Sequence, residues 1–221
     1  MGTCVNEQRM APLDVDLRPD CFPYPEPSDQ GAVPSCVLES LSIALYCSAA
    51  AARRAALSAS LFPARRQLPS GDKASPRGLT LPEGLEILRN DYGELKTRLR
   101  SLPNDAVAVK SELLSGRVVV LGYQVDQTIE RFHEEQRSQT RPTDAPSIAA
   151  ADLSVDLPVL PMFRGPSVSA HAVALLGYSD TRAAFLARNS WGPAWGQRGH
   201  FYIRYEAVET PSFVTDLAVV V

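Results

Sequence analysis

The order of apolar and polar positions divides the chain into a helical first half and a β-rich second half. Residues 36–60 contain neither Gly nor Pro, and Leu38, Leu41 and Leu45 recur at helical spacing; this predicts a long helix. Ser35 stands where an N-cap is wanted and Glu39 falls in the first turn, so Cys36 sits at the helix N-terminus. Upstream, CFPYPEPSDQG reads as extended chain, because each Pro fixes its own φ and restricts its predecessor. Residues 63–80 read as a loop. A second helix, LPEGLEILRNDYG, carries Leu81, Leu85 and Leu88 on one stripe and stops at Gly93. A third lies near residues 104–115 and ends at Gly116. The period then changes: RVVVLGYQV, HAVALLGY, AAFLARNS, GHFYIRY and FVTDLAVVV are short β-rich runs. Between the first two of these, residues 127–160 are polar and read as a long surface loop.

Composition narrows the function. The 221 residues are 45% hydrophobic and 21% charged, with a net charge of −3, which fits a globular domain and argues against nucleic acid as a partner. No stretch has the roughly 18 apolar residues of a membrane span, and the N-terminus lacks the apolar run of a secretory signal. The expectation is an intracellular (cytoplasmic) location, and the chain is expected to be a monomer. The four cysteines, Cys4, Cys21, Cys36 and Cys47, fit no CxxC zinc pattern, so no metal and no cofactor are expected. They read as reduced thiols, with no disulfide and with Cys47 facing the core. His133, among charges in the polar stretch, reads as solvated, and His200 as packing.

A thiol at a helix N-terminus is suited to ionise, and the thiolate is the nucleophilic form. A lone cysteine there is equally a small buried side chain; two further segments change the balance. His171 opens the run HAVALLGY, and Asn189 opens NSWGPAWGQRG. An Asn with Trp191 two residues on can orient an imidazole while the indole keeps water from that bond.

These segments resemble the papain-like cysteine peptidases. The family's nucleophile segment, Gln-Gly-x-x-x-Ser-Cys, matches Gln30 to Cys36; its histidine segment, His-Ala-Val-x-x-x-Gly-Tyr, matches residues 171–178; its asparagine segment, Asn-Ser-Trp-Gly-x-x-Trp-Gly-x-x-Gly, matches residues 189–199. His171 follows Cys36 by 135 residues and Asn189 follows His171 by 18, the spacing such enzymes use. The VDLRPD…DQG, GLTLPEGLEILRNDYG and LPMF segments look like the short bacterial-type branch, which also occurs in large DNA viruses, so the resemblance adds packaging in a virion as the other expected location.

The resemblance implies an α+β, papain-like two-lobe fold. Residues 1–12 would form a tail and 13–221 the peptidase domain, with a helical lobe at about 25–115. A β-barrel-like lobe would take about 116–221 plus the N-terminal segment. It implies hydrolysis of peptide bonds in a peptide or protein substrate. Cys36 would be the nucleophile, His171 the base and acid held as an ion pair with the thiolate, and Asn189 its orienter. Gln30, with the Cys36 N–H, would be the oxyanion donor, and Gly78, Ala170 and Trp191 would meet substrate. Only about a dozen residues precede the region of resemblance, so no helical prosegment is expected. Val37 and Pro34 depart from the family's Trp and Gly, leaving an emptier wall or one filled by a neighbour. A silent peptide-binding relative and an acyl transferase using the same triad are the alternatives.

Overall fold

The computed structural model describes residues 13–21, 25–49, 78–92, 97–138 and 157–221. The expected tail and most of the 63–80 loop lie outside these residues. In chain order the elements are β1 (Asp14–Asp16), α1 (Cys36–Ser48), α2 (Leu81–Tyr92), β2 (Leu99–Ser101), α3 (Ala106–Leu114) and β3 (Val119–Val125). They continue with α4 (Gln127–Ser138), β4 (Ser169–Ser179), β5 (Ala184–Arg188), β6 (His200–Arg204), α5 (Tyr205–Val208) and β7 (Val214–Val220).

The strands pair antiparallel in the order β2-β7-β3-β4-β5-β6, with β1 alongside β4. Among the described residues this is one open sheet, with no pairing that closes it into the expected barrel. β3 and β4 are buried almost throughout, as central strands should be, and α1 packs across β4, β3 and β7. Every residue of α1 from Val37 to Cys47 is buried, so this helix is a core element enclosed on all sides. It also packs against α2, where a Cβ on Gly84 would lie 2.5 Å from Val37 Cγ1. Thus α2 already occupies the wall beside Val37, and the glycine lets the two helices approach. A capping box starts α2: the Thr80 N–H donates to Glu83 Oε2 at 2.8 Å while the Glu83 N–H faces Thr80 Oγ1 at 3.4 Å.

Two expectations are corrected. Part of the expected 127–160 loop is α4. Asp126 Oδ1 caps it, accepting the N–H groups of Thr128 and Ile129 at 3.0 and 2.9 Å, and Ile129, His133 and Gln136 are buried at helical spacing. Asp126 Oδ2 accepts from Arg164 and Gly165 at 2.7 and 2.9 Å, so one carboxylate pins the helix to the segment leading into β4. Burial pushes that carboxyl's pKa up, but these four N–H groups outweigh it and hold it below the usual range.

The second correction concerns the thiols. Cys21 and Cys47 form a disulfide with Cα atoms 4.8 Å apart. Cys47 does face the core, at 7% exposure, and so does Cys21 at 1%. The bridge ties the N-terminal segment to the end of α1. It also removes the argument from reduced thiols for a cytoplasmic or virion location, since disulfides persist mainly in oxidising surroundings. Among the described residues no helix is long and apolar enough to cross a membrane.

Candidate active site

Cys36 is the first residue of α1 and is free and half-buried. The Ser35 side chain makes no capping hydrogen bond, which leaves the helix's opening N–H groups directed at the thiol and the space before it. Burial pushes the Cys36 thiol up from its ordinary pKa; the backbone N–H groups of Ala172, Val37 and Cys36 pull the other way. The contact with Ala172 sets the sulfur beside the residue that follows His171.

His171 is carried on β4 and is 7% exposed. Its Nε2 lies 2.8 Å from Asn189 Oδ1. The same Oδ1 accepts the Ser190 N–H at 2.8 Å, which identifies that atom as the amide oxygen. Nε2 must then carry the proton, and in the neutral ring Nδ1 keeps the lone pair. Burial lowers the His171 pKa to about 4, opposed by the Asn189 bond and aided by the Arg137 charge. Burial thus disfavours either charge taken alone; the ion pair that the sequence resemblance implies needs both charges to be present together.

Trp191 lies nearly flat on His171, with ring centroids 4.5 Å apart and planes at 24°. Tyr123 meets the imidazole edge-on at 5.7 Å. Gln30 is tied to the segment after Asn189: its N–H donates to the Ser190 carbonyl at 2.8 Å, and its Oε1 accepts from Ser190 Oγ. One Nε2 proton is used on the Val33 carbonyl at 2.8 Å, leaving the second.

Gln30, Cys36, Gly78, Ala170, His171 and Trp191 all line one cleft of about 640 Å³, and Asn189 stands behind His171. The structure thus brings together all seven residues singled out from the sequence. Gly78 has φ +76°, a conformation other residues adopt only with strain. Pro34 and Val37 line the same cleft. Among the described residues no cluster of three His, Cys, Asp or Glu side chains is placed to hold a metal ion.

Sequence reasoning missed three residues here. His133 is not solvated; it is 6% exposed, meets Trp191 edge-on at 4.8 Å and pairs its Nε2 with Tyr123 Oη at 3.2 Å. Arg137, one turn further along α4, sets its guanidinium 4.9 Å from the Trp191 ring centre. Asp216 on β7 lines the cleft from the other side. The available signal was Asp126 followed by Ile129, Phe132, His133 and Gln136, a cap and then a helical stripe. His200 is fully buried, as packing requires, and its Nδ1 lies 2.8 Å from the Arg198 carbonyl.

A family model described as papain family cysteine protease matches residues 162–216, which include His171 and Asn189. An uncharacterised peptidase C1-like protein of Acanthamoeba polyphaga mimivirus is 25% identical over 112 residues, 51% of this chain and 30% of that protein. The match therefore spans under a third of that relative's length. Among solved structures, xylellain, a cysteine protease from Xylella fastidiosa, has a TM-score of 0.66 and 18% identity, covering 96% of this chain and 86% of its own. The Carica candamarcensis cysteine protease CMS1MS2, solved with E-64, has a TM-score of 0.55 and 15% identity, covering 94% and 97%. The fold is papain-like, and the matches together support a papain-like cysteine peptidase.

Proposed function

We propose that this protein is a cysteine endopeptidase that hydrolyses peptide bonds through an acyl-thioester on Cys36, in a cleft between a helical and a β-rich lobe. The observation that carries the reading is the 2.8 Å His171–Asn189 bond beneath Trp191, facing the same cleft as a free thiol at a helix N-terminus.

The chemistry follows from the atoms present. His171 Nδ1 takes the Cys36 proton as Sγ attacks the substrate carbonyl. Burial disfavours either charge alone, so the transfer is driven when substrate fills the cleft and the two charges form together. The oxyanion accepts hydrogen bonds from the Cys36 N–H and the second Gln30 Nε2 proton, donors held in place before the charge develops. Collapse breaks the C–N bond, and His171 gives its proton to the leaving amine. Water, deprotonated at the same Nδ1, then attacks the thioester and returns the free thiol with a carboxylic acid product.

A series of single variants tests the reading on a quenched protein-derived peptide. His171→Ala should abolish turnover and Asn189→Ala should reduce it less, because one moves the proton and the other orients the ring. Gln30→Ala should lower kcat by about 10²-fold, the usual effect of losing one oxyanion donor. An unchanged rate in His171→Ala contradicts the assignment.

A further inference from the structure

We propose that Arg188 is a positioning residue for the oxyanion donor: its guanidinium fixes the path of residues 25–30, and through that path the place of the Gln30 amide. This rests on the peptidase reading and on the role given there to Gln30.

Arg188 is the last residue of β5, is 5% exposed and does not line the cleft. The rest of that strand, Ala184, Phe185, Leu186 and Ala187, is buried and apolar. Ending it on a buried guanidinium carries a desolvation cost that only good hydrogen bonds offset. Those bonds run to the chain ahead of Gln30. Arg188 Nη1 donates to the Pro25 carbonyl at 2.6 Å, and Nη2 donates to the Glu26 carbonyl at 2.9 Å.

The local sequence explains why a side chain is needed there. Residues 25–28 belong to no strand, and Pro25 and Pro27 have no N–H to offer a neighbour. Carbonyls are the groups by which such a segment can be held. A planar fork of donors can serve two successive carbonyls at once, which the single ammonium of a lysine is not shaped to do.

From Glu26 onwards the hold passes to the backbone. The Gly192 N–H donates to the Ser28 carbonyl at 2.9 Å, Asp29 bridges antiparallel to Trp191, and the Gln30 N–H donates to the Ser190 carbonyl at 2.8 Å. Pro27 lies between the fork and this ladder, pressed so close to Gly199 that a Cβ on that glycine would fall 2.6 Å from it. Arg188 also adjoins Asn189, whose N–H donates to the Gly199 carbonyl at 2.8 Å. The end of β5 therefore carries both the residue that orients the base and the guanidinium that sets the oxyanion segment. Base and oxyanion donor are referenced to one strand end, as a reaction sensitive to displacements of about 1 Å requires.

The test is a double-mutant cycle between Arg188 and Gln30, read on a quenched peptide. Arg188→Ala should lower kcat by about tenfold, less than the roughly 10²-fold loss of the whole donor, with KM little changed. In the Gln30→Ala background the same substitution should cost no more than about twofold, because the group it positions is gone. Alkylation of Cys36 by iodoacetamide develops no oxyanion, so its rate should be the same in Arg188→Ala as in wild type. Arg188→Lys keeps the charge and loses the fork, and its kcat should fall between those of wild type and Arg188→Ala; it carries the cycle where the alanine variant does not fold. An undiminished loss in the Gln30→Ala background, an unchanged kcat in a folded variant, an equal fall in alkylation, or failure of both variants to fold overturns the proposal. Amide hydrogen exchange separates it from the peptidase reading. Where wild type cleaves no peptide, that reading fails, and faster exchange at the Gln30 N–H in a folded Arg188 variant still supports the positioning; unchanged exchange overturns it.

Discussion

His133 meets the edge of Trp191 with ring centroids 4.8 Å apart and planes at 88°, while the face of the same indole covers His171 at 4.5 Å. The indole is therefore held between two histidines. Trp195 closes a third side at 5.6 Å and donates its Nε1–H to the His133 carbonyl at 3.1 Å. The imidazole that moves the proton owes its cover to α4, an element with no atom in the proposed reaction.

That arrangement makes His133 a positioning residue. His133→Ala should lower kcat on the order of tenfold with little change in KM, because a loosened indole lets His171 drift from a geometry in which small displacements are costly. His133→Phe keeps the packing against Trp191 and should recover most of the loss. Steady-state kinetics on both variants checks this; equal losses mean that the Tyr123 hydrogen bond, not the packing, is what matters.

All three histidines of the chain are buried, at 6%, 7% and 0% exposure for His133, His171 and His200. Burial is the leading cause that lowers each pKa, helped at His133 by His171 and Arg137, at His171 by Arg137, and at His200 by Arg18 and Arg188. Their folded pKa values fall below the ordinary 6.5, so below that pH the unfolded chain binds protons that the folded chain refuses. The stability these groups preserve is complete above pH 6.5 and is lost as pH falls. Urea unfolding from pH 7.5 to 5 should show stability falling as pH falls, by up to about 1.4 kcal/mol per pH unit for each histidine that the fold keeps neutral. A flat profile contradicts the burial argument.

The Cys21–Cys47 bridge closes a segment with a sequence separation of 26, for which chain entropy gives roughly 3.5 kcal/mol of stabilisation. Alkylation of unreduced, denatured protein followed by peptide mapping should leave Cys21 and Cys47 unmodified and label Cys36. Reduction should then lower unfolding stability by about that amount. Alkylation of Cys21 and Cys47 without reductant contradicts the pairing.

The parts of this account that sequence revealed are those written in short-range pattern. A helix start carries Cys36, and compact segments hold His171, Asn189 and Trp191, so both the residues and their grouping were readable. α4 was not, because its charged positions outnumber its buried ones and the stripe of Ile129, His133 and Gln136 has only one aliphatic member. The disulfide was hidden because Cys21 and Cys47 meet only once the N-terminal segment has folded onto α1. Asp216 was hidden for a related reason: its place in the cleft depends on the β3–β7 register and a bulge, neither of which leaves a local mark. Val37 pointed to a change in the cleft wall, but the neighbour that takes up that wall, α2 at Gly84, emerged only from helix packing.

The central claim is that Cys36 is a nucleophile activated by His171. Intact-mass and peptide-mapping analysis after brief treatment with a peptidyl epoxide tests it most directly, on wild-type, His171→Ala and Cys36→Ala protein. The account predicts one adduct on Cys36 in wild type, formed at least about 10²-fold more slowly in His171→Ala because the base is gone, and no adduct in Cys36→Ala. An adduct on another cysteine in wild type, or equal rates with and without His171, would contradict it.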